Sequence, residues 1–246
     1  MTQIFGLALL LIAALLLLAL TFIKRKTPAT FREILSLARL RKSAGMAVEE
    51  GTRLHVAVGR GNLTGQYGAS GLAGLALLRQ VSEQASISDR PALASAGDAT
   101  LAILAQDTLN SAYKAAGAEE LYQPSNGRLT GLTPFSYAAG TMSLVRTEQI
   151  STNVLIGDFG PEAALIADAA ERENALTVGA AGAPGAQAVL FAAASDPLAG
   201  EELFAAPAYV GRDPAHRASL QVQDALHWIV ILALLGATAL KLAGIL

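Results

Sequence analysis

A glycine-rich turn and two aspartates are the residues of this sequence whose types and spacing favour ligand binding. The turn contains Gly59, Gly61 and Gly65, and it follows an apolar, partly β-branched run that predicts a strand. Asp98 and Asp158 each follow a predicted strand and precede a predicted helix. Parallel α/β sheets bind ligands at the carboxyl ends of their strands. These five residues are therefore candidates for binding a small anionic ligand or a nucleotide.

The same residues also have a purely structural interpretation. A dinucleotide-binding fingerprint needs glycines at fixed positions, and this turn is one residue too long for that pattern. Asp98 lies 33 residues past Gly65, farther than the acidic residue of the fingerprint. An aspartate at the start of a helix caps free amide groups, which explains both aspartates without chemistry. Alternatively, paired carboxylates among Asp98, Asp158 and Glu162 could bind a metal ion or act as acid and base.

Other catalytic arrangements are missing from the sequence. It contains no cysteine, and His55, His216 and His227 are too widely separated to form a metal-ligand pattern. Neither a P-loop lysine nor a G-x-S-x-G nucleophile turn is present. A net charge of −2 argues against nucleic acid as a partner. We therefore assign no catalytic residue, no metal ligand and no cofactor; enzymatic activity stays uncertain, with its absence favoured.

Strands that alternate with helices must position the candidate residues. The predicted strands cover 53–59, 91–97, 151–157, 175–179 and 187–192. The predicted helices between and after them cover 68–84, 99–116, 134–148 and 161–174. Strands that read as continuous apolar runs are typical of sheets buried on both faces. The sequence thus predicts an α/β fold with a mostly parallel, Rossmann-like sheet of about five strands covered by helices.

Two apolar runs, at 4–23 and 228–246, are each long enough to cross a bilayer as a helix. We predict one N-terminal and one C-terminal transmembrane helix; the alternatives are a cleaved signal peptide and a buried core helix. Basic and aromatic residues flank the two runs at positions typical of a membrane interface. These predicted interface residues are Lys24, Arg25, Lys26, Trp228 and Lys241.

Lysines and arginines cluster on the inner side of both runs, which predicts a central domain in the cytoplasm and both termini outside. The predicted location is a two-pass protein of a bacterial inner membrane, in contact with its lipids. The predicted organisation is a span over 1–23, a basic amphipathic juxtamembrane helix over 24–45, a soluble α/β domain over 46–212, and a helix that leads into the second span over 213–246.

Glycines recur every three residues at Gly65, Gly68, Gly71 and Gly74. Glycine permits a close approach between backbones. We interpret this spacing as a flat, tightly packed contact, and we predict that it contacts a neighbouring subunit.

Four segments carry a resemblance to a known family. They read Gly-Asp-Phe-Gly-Pro-Glu at 157–162, Ala-Ala-Glu-Arg at 169–172, Glu-Glu-Leu-Phe at 201–204 and Gln-Asp-Ala-Leu-His-Trp at 223–228. In them the chain resembles a family of uncharacterised bacterial membrane proteins with two terminal spans around an α/β domain. The resemblance covers most of the chain. It implies this architecture and a prokaryotic source, and it implies no catalytic residue, because the family carries no established activity.

The function that these features favour is a structural or scaffolding membrane protein that associates with itself. Tethering at two points raises the effective concentration, so weak lateral contacts suffice for assembly. A ring is expected if head-to-tail contacts close. One alternative is a membrane-tethered sensor or enzyme that binds a small anionic ligand or a nucleotide at the strand ends. Another is an accessory subunit of a larger membrane complex.

Overall fold

The computed structural model describes residues 11, 14, 15, 18, 19, 31–88, 90–211 and 214–242. One compact unit comprises Glu33–Gly211, and a second comprises the residues on either side of it. Every strand found in the described residues belongs to the first unit. The candidate ligand-binding residues lie in that unit as well.

The first unit alternates strands and helices. Its strands are β1 (Arg53–Gly59), β2 (Leu93–Ala96), β3 (Gly127–Leu129), β4 (Ile150–Asp158), β5 (Leu176–Ala181) and β6 (Asp196–Pro197). Its helices are α1 (Leu35–Glu50), α2 (Gly68–Ala85), α3 (Ala99–Ala115), α4 (Pro134–Thr147), α5 (Ala163–Arg172), α6 (Pro184–Ala193) and α7 (Glu202–Val210). Two short 3-10 turns, Glu119–Leu121 and Pro124–Asn126, precede β3.

The six strands form one parallel sheet in the order β3-β2-β1-β4-β5-β6. The chain builds one half of the sheet outward from β1 to β3, and it then returns beside β1 and builds the other half from β4 to β6. Right-handed crossovers place the helices of the two halves on opposite faces. This doubly wound order confirms the predicted α/β, Rossmann-like fold.

Alternate strand residues point into apolar cores on opposite faces of the sheet. Leu54 and Val56 of β1 pack in a core shared with α1, α2, α3 and α7. Ala57 of β1 and Leu155 of β4 pack in a core with α4, α5 and α6. The sheet is thus buried on both faces, which explains why its central strands read as continuous apolar runs.

Two predicted helix starts are confirmed in detail. The Asp98 side chain accepts hydrogen bonds from the amides of the first turn of α3. α4 begins with Pro134, and Thr133 and Ser136 form a reciprocal capping box there. Both devices satisfy amide groups that have no partner within the helix.

α1, observed over Leu35–Glu50, overlaps the juxtamembrane helix predicted over 24–45; residues 24–30 lie outside the described part. Leu37, Leu40 and Ala44 are buried in the core next to the sheet. The Arg39 Nη1 atom lies 2.9 Å from Asp196 Oδ1 at the start of β6. The apolar side of this helix is therefore used by the α/β domain.

The glycine spacing of α2 serves packing within the chain. A Cβ atom added at Gly68 would overlap the Leu63 carbonyl, and one at Gly74 would overlap the Ile156 carbonyl of β4. At Gly71 it would lie 3.3 Å from a methyl group of Leu101. These three glycines are buried, whereas Gly65 is exposed. Of the four, Gly65 alone is open to another subunit.

The second unit contains α8 (Pro214–Leu242). Within the described residues, its segment Ala215–Thr238 is the helix with the length and apolar composition needed to cross a membrane. The predicted N-terminal span over 4–23 lies mostly outside the described residues.

The predicted strand over 187–192 is wrong, because these residues belong to α6. Pro184 starts that helix, and a short apolar run cannot be assigned to strand or helix from its pattern alone. The sequence analysis also missed β3 and β6, which are three and two residues long. Such short edge strands carry no periodic signal and exist because β2 and β5 offer them partners. The sheet therefore has six strands instead of about five.

Candidate functional site at the carboxyl edge of the sheet

The strand order reverses between β1 and β4, whose carboxyl ends meet where Gly59 pairs with Asp158. The connection after β1 leads to one face of the sheet, and the connection after β4 leads to the other. Ligands bind at such a switch point because the two connections diverge there. The end of β2 is adjacent, since the Gly97 amide donates to the Gly59 carbonyl at 2.8 Å. The structure thus brings the predicted residues Gly59, Asp98 and Asp158 to one edge.

The glycines after β1 allow the ends of β1 and β4 to touch. Gly59 has a φ of 81°, and a Cβ there would overlap the Asp158 backbone. A Cβ at Gly61 would overlap the Asp158 side chain, including Oδ2. Between them, the Arg60 amide donates to the Asp158 carbonyl at 2.9 Å. Glycine at both positions is explained by this close approach and by the left-handed backbone at Gly59.

Arg60 reaches from the end of β1 to Glu162, just before α5. Its Nε donates to Glu162 Oε1 at 2.7 Å, and the Gly160 amide donates to the same oxygen at 2.9 Å. The Arg60 side chain passes so close to Gly97 that a Cβ there would overlap it. Among the described residues, no hydrogen bond engages Nη1 or Nη2 of Arg60, and its side chain is 34% exposed. The ion pair therefore fixes an arginine whose terminal amino groups stay available.

Glu162 is the buried partner of this pair, with a side chain that is 1% exposed. Burial raises its pKa, but the hydrogen bonds from Gly160 and Arg60 outweigh burial, and the pKa lies below its usual value. Oε2 has no hydrogen-bond partner in the part of the chain that the structure describes. It lies against Gly160, on the side that Arg60 Nη2 also approaches. A hydrogen-bond donor from a ligand or from water would stabilise this oxygen.

Asp158 has no structural role as a helix cap. α5 begins at Ala163, and its N-cap residue is Glu162. Burial raises the pKa of Asp158; Arg60 opposes the shift and Glu162 adds to it. No hydrogen bond to its carboxylate is present within the described ranges. Helix capping therefore accounts for the aspartate at position 98, but it does not account for the aspartate at position 158.

Asp98 caps α3 with one carboxylate oxygen. Its Oδ1 accepts from the Thr100 amide at 2.9 Å and from the Leu101 amide at 3.1 Å. Oδ2 makes no hydrogen bond to any described residue. The residue is half-buried, and it directly follows Gly97, which contacts Arg60. One oxygen of Asp98 thus stays available at this edge of the sheet.

Three amides around the start of α2 are already engaged. Those of Gly65, Gly68 and Ser70 donate to carbonyls of Asn62, Gly65 and Tyr67. A pyrophosphate bound in the dinucleotide manner needs free amides at this helix start. These three amides are therefore not available for such a cradle.

A buried polar network lies on the face of the sheet that α4 covers. His55 Nδ1 lies 2.7 Å from Asn153 Oδ1, and His55 Nε2 lies 2.9 Å from Ser95 Oγ. Burial lowers the pKa of His55 to about 4, which keeps the imidazole neutral. Burial also favours the neutral form of Tyr137 and raises its pKa to about 12, although hydrogen bonds to Ser95 and Gly59 lower it. The Tyr137 ring and Arg60 Cβ both lie close to Gly97, so this network borders the candidate site.

A shallow groove lies at the opposite, amino edge of the sheet. It has a volume of about 280 Å³ and is lined by Thr52, Val145, Arg146, Gln149, Ile150, Ser151, Glu173 and Asn174. Gln149 and Asn174 have positive φ angles, as residues that follow a helix end often do. The helix-to-strand turns explain this backbone, and we assign no function to the groove.

Sequence reasoning missed Arg60, the central residue of the candidate site. Its signal was a basic residue between two glycines directly after a strand. Glu162 was identified as a second carboxylate, without its partner. The described residues hold no group of three or more histidine, aspartate or glutamate side chains suited to a metal ion. Of the membrane-interface residues, Trp228 and Lys241 are exposed on α8, and Lys24, Arg25 and Lys26 lie outside the described residues.

Together these features define an α/β protein with a doubly wound parallel sheet, a polar switch point and a C-terminal helix able to cross a membrane. Residues 2–245 match a family described as a domain of unknown function, DUF6754, and the chain belongs to this family. A search of curated proteins found no match, and neither did a search of solved structures.

Proposed function

We propose that this chain is a membrane-anchored binding protein whose α/β domain takes a small anionic ligand at the switch point between β1 and β4. The observation that carries the proposal is the orientation of Arg60. Buried Glu162 holds its guanidinium through Nε, and both terminal amino groups stay without a partner among the described residues. An arginine fixed in this way presents a planar pair of donors that matches phosphate or carboxylate geometry.

The charges around Arg60 decide which state of the site accepts an anion. Glu162 is neutralised by Arg60, but the Asp158 carboxylate repels a bound anion when it is ionised. Its raised pKa reduces this repulsion, because the neutral form is more accessible than in an exposed aspartate. We infer that anion binding and protonation of Asp158 favour each other.

The test is a thermal-shift screen of the full chain in mild detergent against inorganic phosphate, nucleotides, sugar phosphates and carboxylates. We expect stabilisation by at least one class, and none in Arg60→Met/Glu162→Gln, which removes the ion pair without leaving a buried charge. The matched control is Arg172→Met/Asp168→Asn, which removes an exposed pair with a 2.8 Å contact. Equal shifts in both double variants, or no shift with any compound, would contradict the proposal.

Self-association as a scaffold is the second candidate, and exposed apolar side chains beside edge strand β3 favour it. Leu129 ends β3, Leu132 follows in the connection to α4, and Phe135 lies in the first turn of α4; Leu132 and Phe135 are 69% and 71% exposed. Large apolar side chains that are exposed close together are typical of contact surfaces. In this candidate they form the subunit contact, because Gly68, Gly71 and Gly74 pack inside the domain.

Particle size in mild detergent tests the scaffold. A large, symmetric, single-component particle is expected, and Leu132→Ser/Phe135→Ser should reduce it to a monomer. Ile87→Ser is the control, since Ile87 is 83% exposed and lies before the start of β2, at the amino edge of the sheet. A monomer in the unaltered chain would exclude the scaffold, and a stoichiometric foreign chain would indicate an accessory subunit instead.

We further propose that the chain crosses a bacterial inner membrane twice, with the α/β domain in the cytoplasm. The apolar α8 and the basic residues Lys24, Arg25 and Lys26 support this topology. The chain has no cysteine, so single-cysteine labelling needs no background removal. In intact spheroplasts, Thr2→Cys should react with an impermeant maleimide and the exposed Ser111→Cys should react only after lysis. Labelling of Ser111→Cys before lysis would place the domain outside.

A further inference from the structure

The carboxyl edge offers acceptors as well as the donors of Arg60, and this combination narrows the ligand. Glu162 Oε2 is buried and has no partner in the described part of the chain, and it lies on the Arg60 side of Gly160. Asp98 Oδ2 is likewise without a hydrogen bond among the described residues. An anion without additional hydroxyl groups cannot reach several of these acceptors at once. A ligand that satisfies the whole edge needs both an anionic group and hydroxyl groups.

The position of Asp98 further defines the hydroxyl-bearing part. Asp98 follows Gly97, whose amide donates to the Gly59 carbonyl and where an added Cβ would overlap Arg60 Cβ, so the chain segments that carry Asp98 and Arg60 touch at this edge. It lies two residues after β2, the strand next to β1, which is where doubly wound folds place the acidic residue that binds a ribose hydroxyl. The sequence alone does not indicate that Asp98 lies beside the end of β1, because the long helix α2 separates the two strand ends along the chain.

We propose that the ligand is a phosphorylated ribose of the kind that ribonucleotides carry, with its phosphate on Arg60 and its ribose hydroxyls on Asp98 Oδ2. The inference rests on the proposed function, since it names the ligand class of the same site. The phosphate binds Arg60, because the Gly65, Gly68 and Ser70 amides around the start of α2 are engaged within the chain. Because Glu162 Oε2 is buried, a water that the bound ligand holds in place would be its donor.

The experiment is a calorimetric titration of the full chain in mild detergent with ribose 5-phosphate, 2-deoxyribose 5-phosphate and inorganic phosphate. We expect ribose 5-phosphate to bind about tenfold or more tightly than the deoxy compound, as for a hydroxyl that donates to a carboxylate. Asp98→Asn should abolish this preference. Asparagine keeps the Oδ1 cap of α3 and replaces the Oδ2 acceptor by a donor, so the fold is retained. Asp168→Asn, at an exposed ion pair, is the control and should keep the preference.

The outcomes separate the two levels of the proposal. Equal binding of the three compounds, lost in Arg60→Met/Glu162→Gln, overturns the ribose inference and leaves anion binding at Arg60 intact. A preference for ribose that survives in Asp98→Asn also overturns the assignment to Asp98. No binding of any of the three compounds contradicts the inference, and it contradicts the proposed function as well if the wider thermal-shift screen is also negative.

Discussion

Arg60 and Glu162 form an ion pair across the two halves of the sheet, with 2.7 Å between Nε and Oε1. The two residues are 102 positions apart in sequence. One follows β1, the first strand of one half, and the other follows β4, the first strand of the second half. The pair therefore closes the edge where the two halves meet, and it orients the one cation of the candidate site.

The two members of this pair should contribute unequally to stability. Arg60→Met leaves the buried Glu162 carboxylate without its cation, and we expect a loss of about 2 kcal/mol or more in the free energy of unfolding. Glu162→Gln keeps an acceptor and leaves Arg60 able to reach solvent, so a loss of about 1 kcal/mol is expected. Chemical unfolding of the variants measures both. The double variant should be more stable than Arg60→Met alone, and the opposite order would show that the pair is not buried.

Asp158→Asn should tighten anion binding and remove its pH dependence. In the unaltered chain, affinity should rise as pH falls toward the raised pKa of Asp158, because protonation removes the repulsion between its carboxylate and the anion. The dissociation constant for sulfate, whose charge is constant between pH 7.5 and pH 5, checks this across that range. An affinity that falls with decreasing pH, or an Asp158→Asn variant that binds more weakly, would exclude Asp158 as a neighbour of the anion.

His55 should make the domain less stable in mild acid. Its pKa is 6.5 in the unfolded chain and about 4 in the fold. Above pH 6.5 the imidazole is neutral in both states and adds no pH dependence. Between pH 6.5 and pH 4 only the unfolded state takes up the proton, so stability falls by up to about 3 kcal/mol.

The measurement for His55 is the slope of unfolding free energy against pH, compared with His55→Gln. The variant retains an amide that can hydrogen bond and lacks the titrating group, so its slope between pH 6.5 and pH 4.5 should be smaller. The carboxylates titrate in both proteins and cancel in the difference. Parallel slopes would mean that His55 is protonated in the folded state.

Two glycine-to-alanine substitutions in helices should have opposite effects. Gly74→Ala in α2 brings a Cβ onto the Ile156 carbonyl and should cost about 1–3 kcal/mol, because that contact is with backbone. Gly45→Ala in α1 meets no atom within 4 Å and should stabilise the domain by about 0.5–1 kcal/mol. Thermal unfolding of the two variants provides the comparison. Equal effects would contradict the packing of α2 on β4.

Local signals in the sequence predicted most of the central elements. β1 is observed over the range predicted for it. The helices α2, α3 and α4 each differ from their own predicted ranges by one residue at one end. Their signals were local: β-branched apolar runs ended by glycine, a capping aspartate and a first-turn proline. The edge strands β3 and β6 could not be predicted, since pairing with a neighbouring strand creates them.

The candidate site could be predicted only in part. Gly59, Asp98 and Asp158 lie at the predicted carboxyl edge, because strand ends are local features. The Arg60–Glu162 pair depends on β4 returning beside β1, and nothing in either local sequence states that pairing. The glycine spacing at 65–74 predicts an external contact, although Gly68, Gly71 and Gly74 pack inside the domain, against Leu63, Leu101 and Ile156. Periodicity shows that small residues are needed, without showing which surface needs them.

The most direct measurement is an experimental structure of the full chain in the presence of ribose 5-phosphate. We expect phosphate density about 3 Å from the terminal nitrogens of Arg60, at the carboxyl edge between β1 and β4. The ribose should point toward Asp98. A phosphate bound elsewhere on the domain, with Arg60 still free, would contradict the assignment of the switch point as the binding site.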